Sequence, residues 1–255
     1  MSITKKKIMF SCLFIAIIVC MGLILSSCFL RDSSKNTRSV LDVYSRDVTY
    51  PKDVNRIATV GSATRMVVYA GAQDKLVAIT DMDKPSELRP YTLVNPELFA
   101  SLPSTNNGNQ YNDISINKEA MLEAKPDVIF SSRSAEECDK LQNELKIPVI
   151  GVLGTEDLTN DLSYKPLLII GEVTGSEDKA YKTVGYIRNI VNIVLTARSD
   201  NQIKMYRGAI NFKGSKDLTG TYSNYCIYKI LKSINVADNP EIDGAYDTNL
   251  EQILQ

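Results

Sequence analysis

The side chains that could do chemistry in this sequence are arginines, tyrosines and small hydroxyl residues set just beyond short apolar runs. Arg65 follows one run together with Ser62 and Thr64, Arg89 and Tyr91 follow a second, and Arg133 follows a third, between Ser132 and Ser134. A guanidinium presents a planar fork of donors that matches paired oxygens of an anion, and a tyrosine offers a ring for stacking and a hydroxyl for bonding. What is missing narrows the chemistry further. The 255 residues include no histidine, which removes the Ser-His-Asp triad, the Cys-His nucleophile and every His-bearing zinc site. The turn Val60-Gly61-Ser62-Ala63-Thr64 lacks the glycine spacing of a dinucleotide fingerprint, and Gly151-Val152-Leu153-Gly154 is too short to cradle a pyrophosphate. No P-loop and no G-x-S-x-G occurs. The expectation is a protein that binds rather than catalyses, with no resident cofactor or metal.

Those loops need elements to position them. Residues 56–60 read as a strand, followed by a helix that opens at Gly61-Ser62-Ala63-Thr64 and stops at Gly71; residues 76–80 read as the next strand. A helix over 117–124 ends before Pro126, and 127–131 is apolar enough to be buried on both faces. Ser134-Ala135-Glu136-Glu137 has capping-box spacing and opens a helix to about Leu145, and 148–152 is again a strand. Strands separated by helix-length segments imply a parallel, helix-covered sheet of the α/β class. One segment breaks the rhythm. Ser176-Glu177-Asp178 caps a helix that runs to Arg198, with Ala180, Val184, Ile187, Val191 and Val194 on its apolar stripe. It reads as a rigid connector between two lobes, or else as a long surface helix of one domain. Beyond it a second set begins, with a strand over 206–212, a helix over 222–233 and a loop at Asn239-Pro240.

Composition places the chain outside the cytoplasm and away from nucleic acid. Basic and acidic side chains number 29 and 30, and no Lys/Arg cluster appears beyond the N-terminus. There, Lys5, Lys6 and Lys7 precede an apolar run over 8–25, the pattern of a secretory signal. The run ends in Leu25-Ser26-Ser27-Cys28, which resembles a lipobox, so that Cys28 becomes the lipidated first residue after removal of 1–27. An uncleaved membrane anchor is the other reading. Residues 1–27 hold three lysines and no acid, so their removal takes the net charge from −1 to −4. Residues 28–52 serve as a tether. Cys138 and Cys226 both fall in expected helices and read as buried thiols rather than a bridge.

An internal echo links the two sets. Residues 117–122, Asn-Lys-Glu-Ala-Met-Leu, match residues 249–254, Asn-Leu-Glu-Gln-Ile-Leu, at the helix preceding a buried strand.

Three stretches, residues 56–80, 117–130 and 214–240, together with the lipobox, resemble in order the substrate-binding lipoproteins of ABC importers for iron chelates, haem and cobalamin. The resemblance implies two Rossmann-like lobes joined by one long helix: residues 53–175 as the N-terminal lobe, 176–200 as the connecting helix and 201–255 as a partial C-terminal lobe. It implies a ligand cleft built from loops after strand ends, with Ser62, Thr64, Arg65, Arg89, Tyr91, Tyr111, Arg133 and Tyr222 as candidate ligand residues. The arginines would pair with the oxygens of a ferric chelate, and the tyrosines, Tyr225 among them, would stack on the ligand or, if deprotonated by iron, ligate it. It further implies that Glu119 and Glu251 present one acid from each lobe to arginines of the permease, which works with an ATPase, and that the protein is a monomer closing over its ligand with a small motion. The other reading of each glutamate is stabilisation of its helix N-terminus.

The first choice of cargo is a siderophore-like iron complex. Haem or cobalamin is the alternative within the family, and a surface lipoprotein or sensor without transport is the alternative outside it. The echo also sets an expectation about length. About 55 residues follow Asn117 before the first lobe ends at Gly171, whereas six follow Asn249, so a symmetrical second lobe would need roughly 50 more and is expected to be incomplete, with an open sheet edge.

Overall fold

The computed structural model describes residues 36–106, 115–198, 201–211, 214 and 217–254; Cys28, Tyr111 and residues 1–27 lie outside them. The chain opens with two short strands paired with each other, β1 (Thr37–Leu41) and β2 (Asp47–Pro51). Next comes β3 (Ile57–Val60), every residue of which is buried. That pattern requires cover on both faces. It is supplied by α1 (Ala63–Tyr69), β4 (Leu76–Ala78), α2 (Pro96–Ser101), α3 (Lys118–Ala124), β5 (Val128–Ser131), α4 (Ala135–Leu145), β6 (Val149–Gly151) and α5 (Lys165–Thr174).

The four inner strands form one parallel sheet in the order β4-β3-β5-β6. Alternation along each strand splits its side chains between two cores. Ile57, Val128, Phe130 and Ile150 pack with Val67 of α1, with Leu167 and Ile170 of α5 and with Ala180 and Val184 of the long helix. Ala58, Val60, Ile129 and Val149 pack on the other side with Met121 of α3 and with Cys138, Leu141 and Leu145 of α4. Helices therefore cover both faces, as the continuous apolar runs required.

The long helix α6 (Glu177–Ala197) follows, with Ala180, Val184 and Val191 buried. Ser176 stands at its N-terminus without capping it by its side chain; the Ser176 hydroxyl instead lies 2.7 Å from that of Thr174. After α6 come β7 (Lys204–Met205), β8 (Gly220–Ser223), α7 (Cys226–Leu231), β9 (Ile234–Asn235), β10 (Gly244–Asp247) and α8 (Leu250–Ile253). They form two small sheets, β7 with β9 in parallel and β8 with β10 antiparallel.

Three expectations are corrected here; the first is the tether, since residues 37–51 within it carry β1 and β2 and bury Val40, Val48 and Tyr50 in the core. The strand expected over 206–212 is replaced by the two-residue β7, with residues 206–211 irregular, and the helix expected over 222–233 begins as a strand, its helical part confined to Cys226–Leu231. Aromatic and hydroxyl residues at 221–223 pair with β10 across Tyr222↔Ala245 and Thr221↔Tyr246, and tertiary pairing overrides the local helical spacing. The echo, by contrast, has a physical content. Asn117 accepts from the Ala120 N–H at 3.0 Å and Asn249 from the Gln252 N–H at 2.8 Å, so both repeats are N-caps of the same construction. Cys138 and Cys226 are free and buried, and burial raises both thiol pKa values.

The loop between β1 and β2 fastens the sheet at β6. Asp42, fully buried, accepts from the Gly151 N–H at 3.0 Å and pairs with Arg46 at 2.9 Å, while the Tyr44 ring lies over Gly151. A Cβ on Gly151 would come within 2.6 Å of that ring and 2.9 Å of the Asp42 carboxylate, so glycine is the residue that permits the approach. Gly151→Ala is expected to lower stability by about 1–3 kcal/mol, measured by urea unfolding with an unchanged m-value.

Candidate functional site

Parallel pairing brings the ends of β3, β4 and β5 to one edge of the sheet, and the strand order reverses between β4-β3 and β5, the place where open α/β sheets bind ligands. Register sets the detail. Val60 pairs with Ser131, so the turn Gly61-Ser62 stands beside Ser132-Arg133. Gly61 turns with φ +69°, and a Cβ there would overlap the Ser132 hydroxyl. That close approach lets the Ser62 N–H donate to Ser132 Oγ at 2.7 Å, with the Ser62 hydroxyl 3.1 Å from the same oxygen. The result is a cleft of about 330 Å³ lined by Gly61, Ser62, Thr80, Met82, Asp83, Arg89, Tyr91, Asn106, Ser132 and Arg133.

The wall on the β4 side is built on a buried carboxylate. Asp83 is 2% exposed and accepts three hydroxyl hydrogen bonds: from Thr64 at 2.6 Å, Thr80 at 2.7 Å and Tyr91 at 2.6 Å. Thr59 continues the chain, 2.6 Å from Thr64 Oγ1, and Thr105 donates to the Thr59 carbonyl at 2.9 Å. Burial, and next the hydrogen bond to Asp83, push the Tyr91 pKa far above its ordinary value, so this phenol enters the cleft as a neutral group. On the β5 side the Arg133 carbonyl is held by the Tyr44 hydroxyl at 2.5 Å, and the Arg133 N–H donates to Ser131 Oγ at 3.1 Å. The Arg133 guanidinium keeps one buried nitrogen, Nη2, with no hydrogen-bond partner.

The structure thus brings together Ser62, Arg89, Tyr91 and Arg133 of the sequence candidates, and separates the others. Thr64 lies beneath the cleft as a support of Asp83, and Arg65 is exposed and does not line it. Tyr222 lines a different cavity, of about 620 Å³, between Thr155, Glu156, Asp157 and Asn160 on one side and Asn224, Cys226, Lys229 and Asp243 on the other. Lys229 reaches Asp157 at 3.1 Å across it, and burial, then a hydrogen bond to Glu156, push the Tyr222 pKa up to about 12. Tyr225 sits behind it, under the Arg207 guanidinium at 3.9 Å. Tyr111 lies outside the described residues. Glu119 and Glu251 are both exposed, each two residues after a capping asparagine. The sequence pattern singled out Arg89 and Tyr91 after the second strand but not Asp83, nor Asn106, whose side chain accepts from the Asp81 N–H at 2.9 Å. Among the described residues no group of three or more His, Cys, Asp or Glu side chains is placed to hold a metal ion, and no helix is long and apolar enough to cross a membrane.

The family model described as periplasmic binding protein matches residues 57–224, a span that holds the whole parallel sheet and the long helix. The chain belongs to that family. Among solved structures it is similar to a periplasmic solute binding protein of Veillonella parvula, 21% identical with a TM-score of 0.65, over 86% of this chain and 65% of that one. It is similar also to the molybdate periplasmic binding protein MolA of Haemophilus influenzae, 23% identical, TM-score 0.65, over 85% and 71% of the two chains. The vitamin B12 binding protein BtuF of Vibrio cholerae is 20% identical, TM-score 0.56, over 79% and 72%. These likenesses are likenesses of fold, and the chain spans about two thirds of the length of the proteins it matches. A search of curated proteins gives no match. Family membership agrees with a binder rather than an enzyme.

The Asp83 network predicts a titration. Because the folded-state pKa of Tyr91 is raised, its contribution to stability is complete below the unfolded tyrosine pKa near 10.0 and is lost as pH rises from there toward the folded value. Ultraviolet titration of phenolate should show a late-ionising tyrosine that Tyr91→Phe removes, and Tyr91→Phe should cost about 1–3 kcal/mol at neutral pH. A Tyr91 that ionises with the exposed tyrosines would contradict the network.

Proposed function

We propose that the chain is the extracytoplasmic substrate-binding component of an ABC importer, taking an anionic small solute of the ferric-chelate class into the cleft at the ends of β3, β4 and β5. The observation that carries this reading is the Arg133 guanidinium, with a buried nitrogen that has no hydrogen-bond partner, in a cleft that Ser62, Ser132 and Arg89 also line. A partly buried cation with one buried, unspent donor favours an anion that can reach it. Among the described residues no group of three or more acidic or thiol side chains is placed to hold a bare metal ion, so a ferric ion is read as arriving wrapped in its own anionic donors.

Residues 53–175 are read as a first lobe, 176–200 as the connecting helix and 201–255 as belonging to a second lobe. Tyr222 and the residues around it then offer the second wall. The signal pattern supports anchoring through a lipidated Cys28, and the paired, exposed, Asn-capped Glu119 and Glu251 support docking to a permease that works with an ATPase.

A free oxyanion is the second reading. The modest volume of the cleft and its guanidinium and hydroxyl lining favour it, and MolA, of similar fold, is described with molybdate bound. Titrating the chain with ferric citrate, molybdate, haem and cobalamin, read by tyrosine fluorescence, tests the proposal. Ferric citrate or molybdate should bind, with Arg133→Gln weakening the affinity by about tenfold or more. Binding of haem or cobalamin alone, unchanged by Arg133→Gln, would overturn the anion reading.

A further inference from the structure

We propose that Glu137 sets the anion affinity of the cleft by holding Arg133 from behind, an inference that rests on the solute-binding reading above and deepens it. Arg133 is the wall between two cavities. On the cleft side, a Cβ built on Gly61 would come 3.8 Å from Arg133 Nε, so the Nε edge faces the ends of β3 and β5, and Nη2 on that edge has no acceptor. On the other side lies a cavity of about 320 Å³ lined by Ser131, Arg133, Glu137, Lys140 and Glu144 among others. There the third nitrogen, Nη1, stands 3.6 Å from Glu137 Oε1, an ion-pair distance longer than a hydrogen bond.

Glu137 is not free to follow the guanidinium. Its second oxygen, Oε2, accepts from the Ser134 N–H at 3.2 Å and from the Ser134 hydroxyl at 3.0 Å, while Ser134 Oγ accepts from the Glu137 N–H at 3.2 Å. This closed capping box ties the carboxylate to the first turn of α4. Arg133 therefore spends one nitrogen on a fixed, loosely held counter-ion and keeps the other edge for a bidentate partner. An anion bound at that edge shares the guanidinium with a second negative charge that cannot move away, and the repulsion between the two lowers affinity. Glu137 acts as a positioning residue through Arg133. It keeps the site from binding anions as tightly as the bare guanidinium would, which suits a protein that must release what it carries.

The test compares three substitutions in the full chain, titrated with molybdate at fixed ionic strength by tyrosine fluorescence, with thermal unfolding alongside. Glutamine can occupy the same place in a capping box, so Glu137→Gln should leave Tm unchanged while binding molybdate about three- to fivefold more tightly, the range of a partly exposed ion pair. Glu137→Asp retains the charge and should bind like the parent chain. Glu137→Ala loses both features and should bind more tightly although its Tm falls. A merely structural role predicts the opposite order, with Glu137→Gln like the parent chain and Glu137→Ala weaker; that result overturns the inference while leaving the cleft intact. Absence of molybdate binding in the parent chain and in every variant overturns the inference together with the oxyanion reading, and binding of ferric citrate in the same experiment would leave the ferric-chelate reading standing.

Discussion

The site depends on the in-register pairing of β3 with β5. With Val60 fixed opposite Ser131, the two strand ends emerge side by side, and everything that reaches the cleft from them is placed by backbone hydrogen bonds rather than by flexible side chains. The Gly61 turn converts that alignment into contact, because only a residue without a side chain allows Ser62 and Ser132 to meet. The two-sided burial of the sheet gives the alignment its stiffness. Apolar side chains from α1, α5 and α6 on one face and from α3 and α4 on the other leave the strands little room to shift register.

Charge in the cleft is divided between one group that is satisfied and one that is not. Asp83 is buried but accepts from three hydroxyls, so its charge is spent on building the wall that holds Tyr91. Arg133 is held at its backbone by Tyr44 and loosely at Nη1 by Glu137, and its remaining edge is uncommitted. The cleft thus sets a carboxylate whose hydrogen bonds are already made against a guanidinium edge whose hydrogen bonds are not. The larger cavity around Tyr222 has the reverse balance, with Glu156, Asp157 and Asp243 on its lining and Lys229 already paired to Asp157.

Much of this was legible in the sequence where local and tertiary preferences agree. The mainly apolar runs at 57–60 and 128–131, the capping box at Ser134 and the asparagine caps of the internal repeat each specify one local structure, and the fold uses all of them. Legibility failed where pairing partners lie far along the chain. Residues 222 and 223 were read as the start of a helix yet are drawn into a sheet by β10, more than twenty positions away. Arg65, Arg89 and Arg133 looked equivalent as loop arginines, but strand register brings the second and third to the cleft and leaves the first outside. Asp83 carried no signal of its own, since its role is to collect hydroxyls from residues 64, 80 and 91, an arrangement that exists only once the sheet has formed.

The most direct test of the account is to locate a bound anion by anomalous scattering from crystals of the chain grown with molybdate or ferric citrate. The account predicts metal density in the cleft, with anion oxygens within hydrogen-bond distance of the Nε and Nη2 edge of Arg133 and of the Ser62 or Ser132 hydroxyl. Density confined to the cavity beside Glu156, Asp157 and Tyr222, with the Arg133 edge left bare, would contradict it.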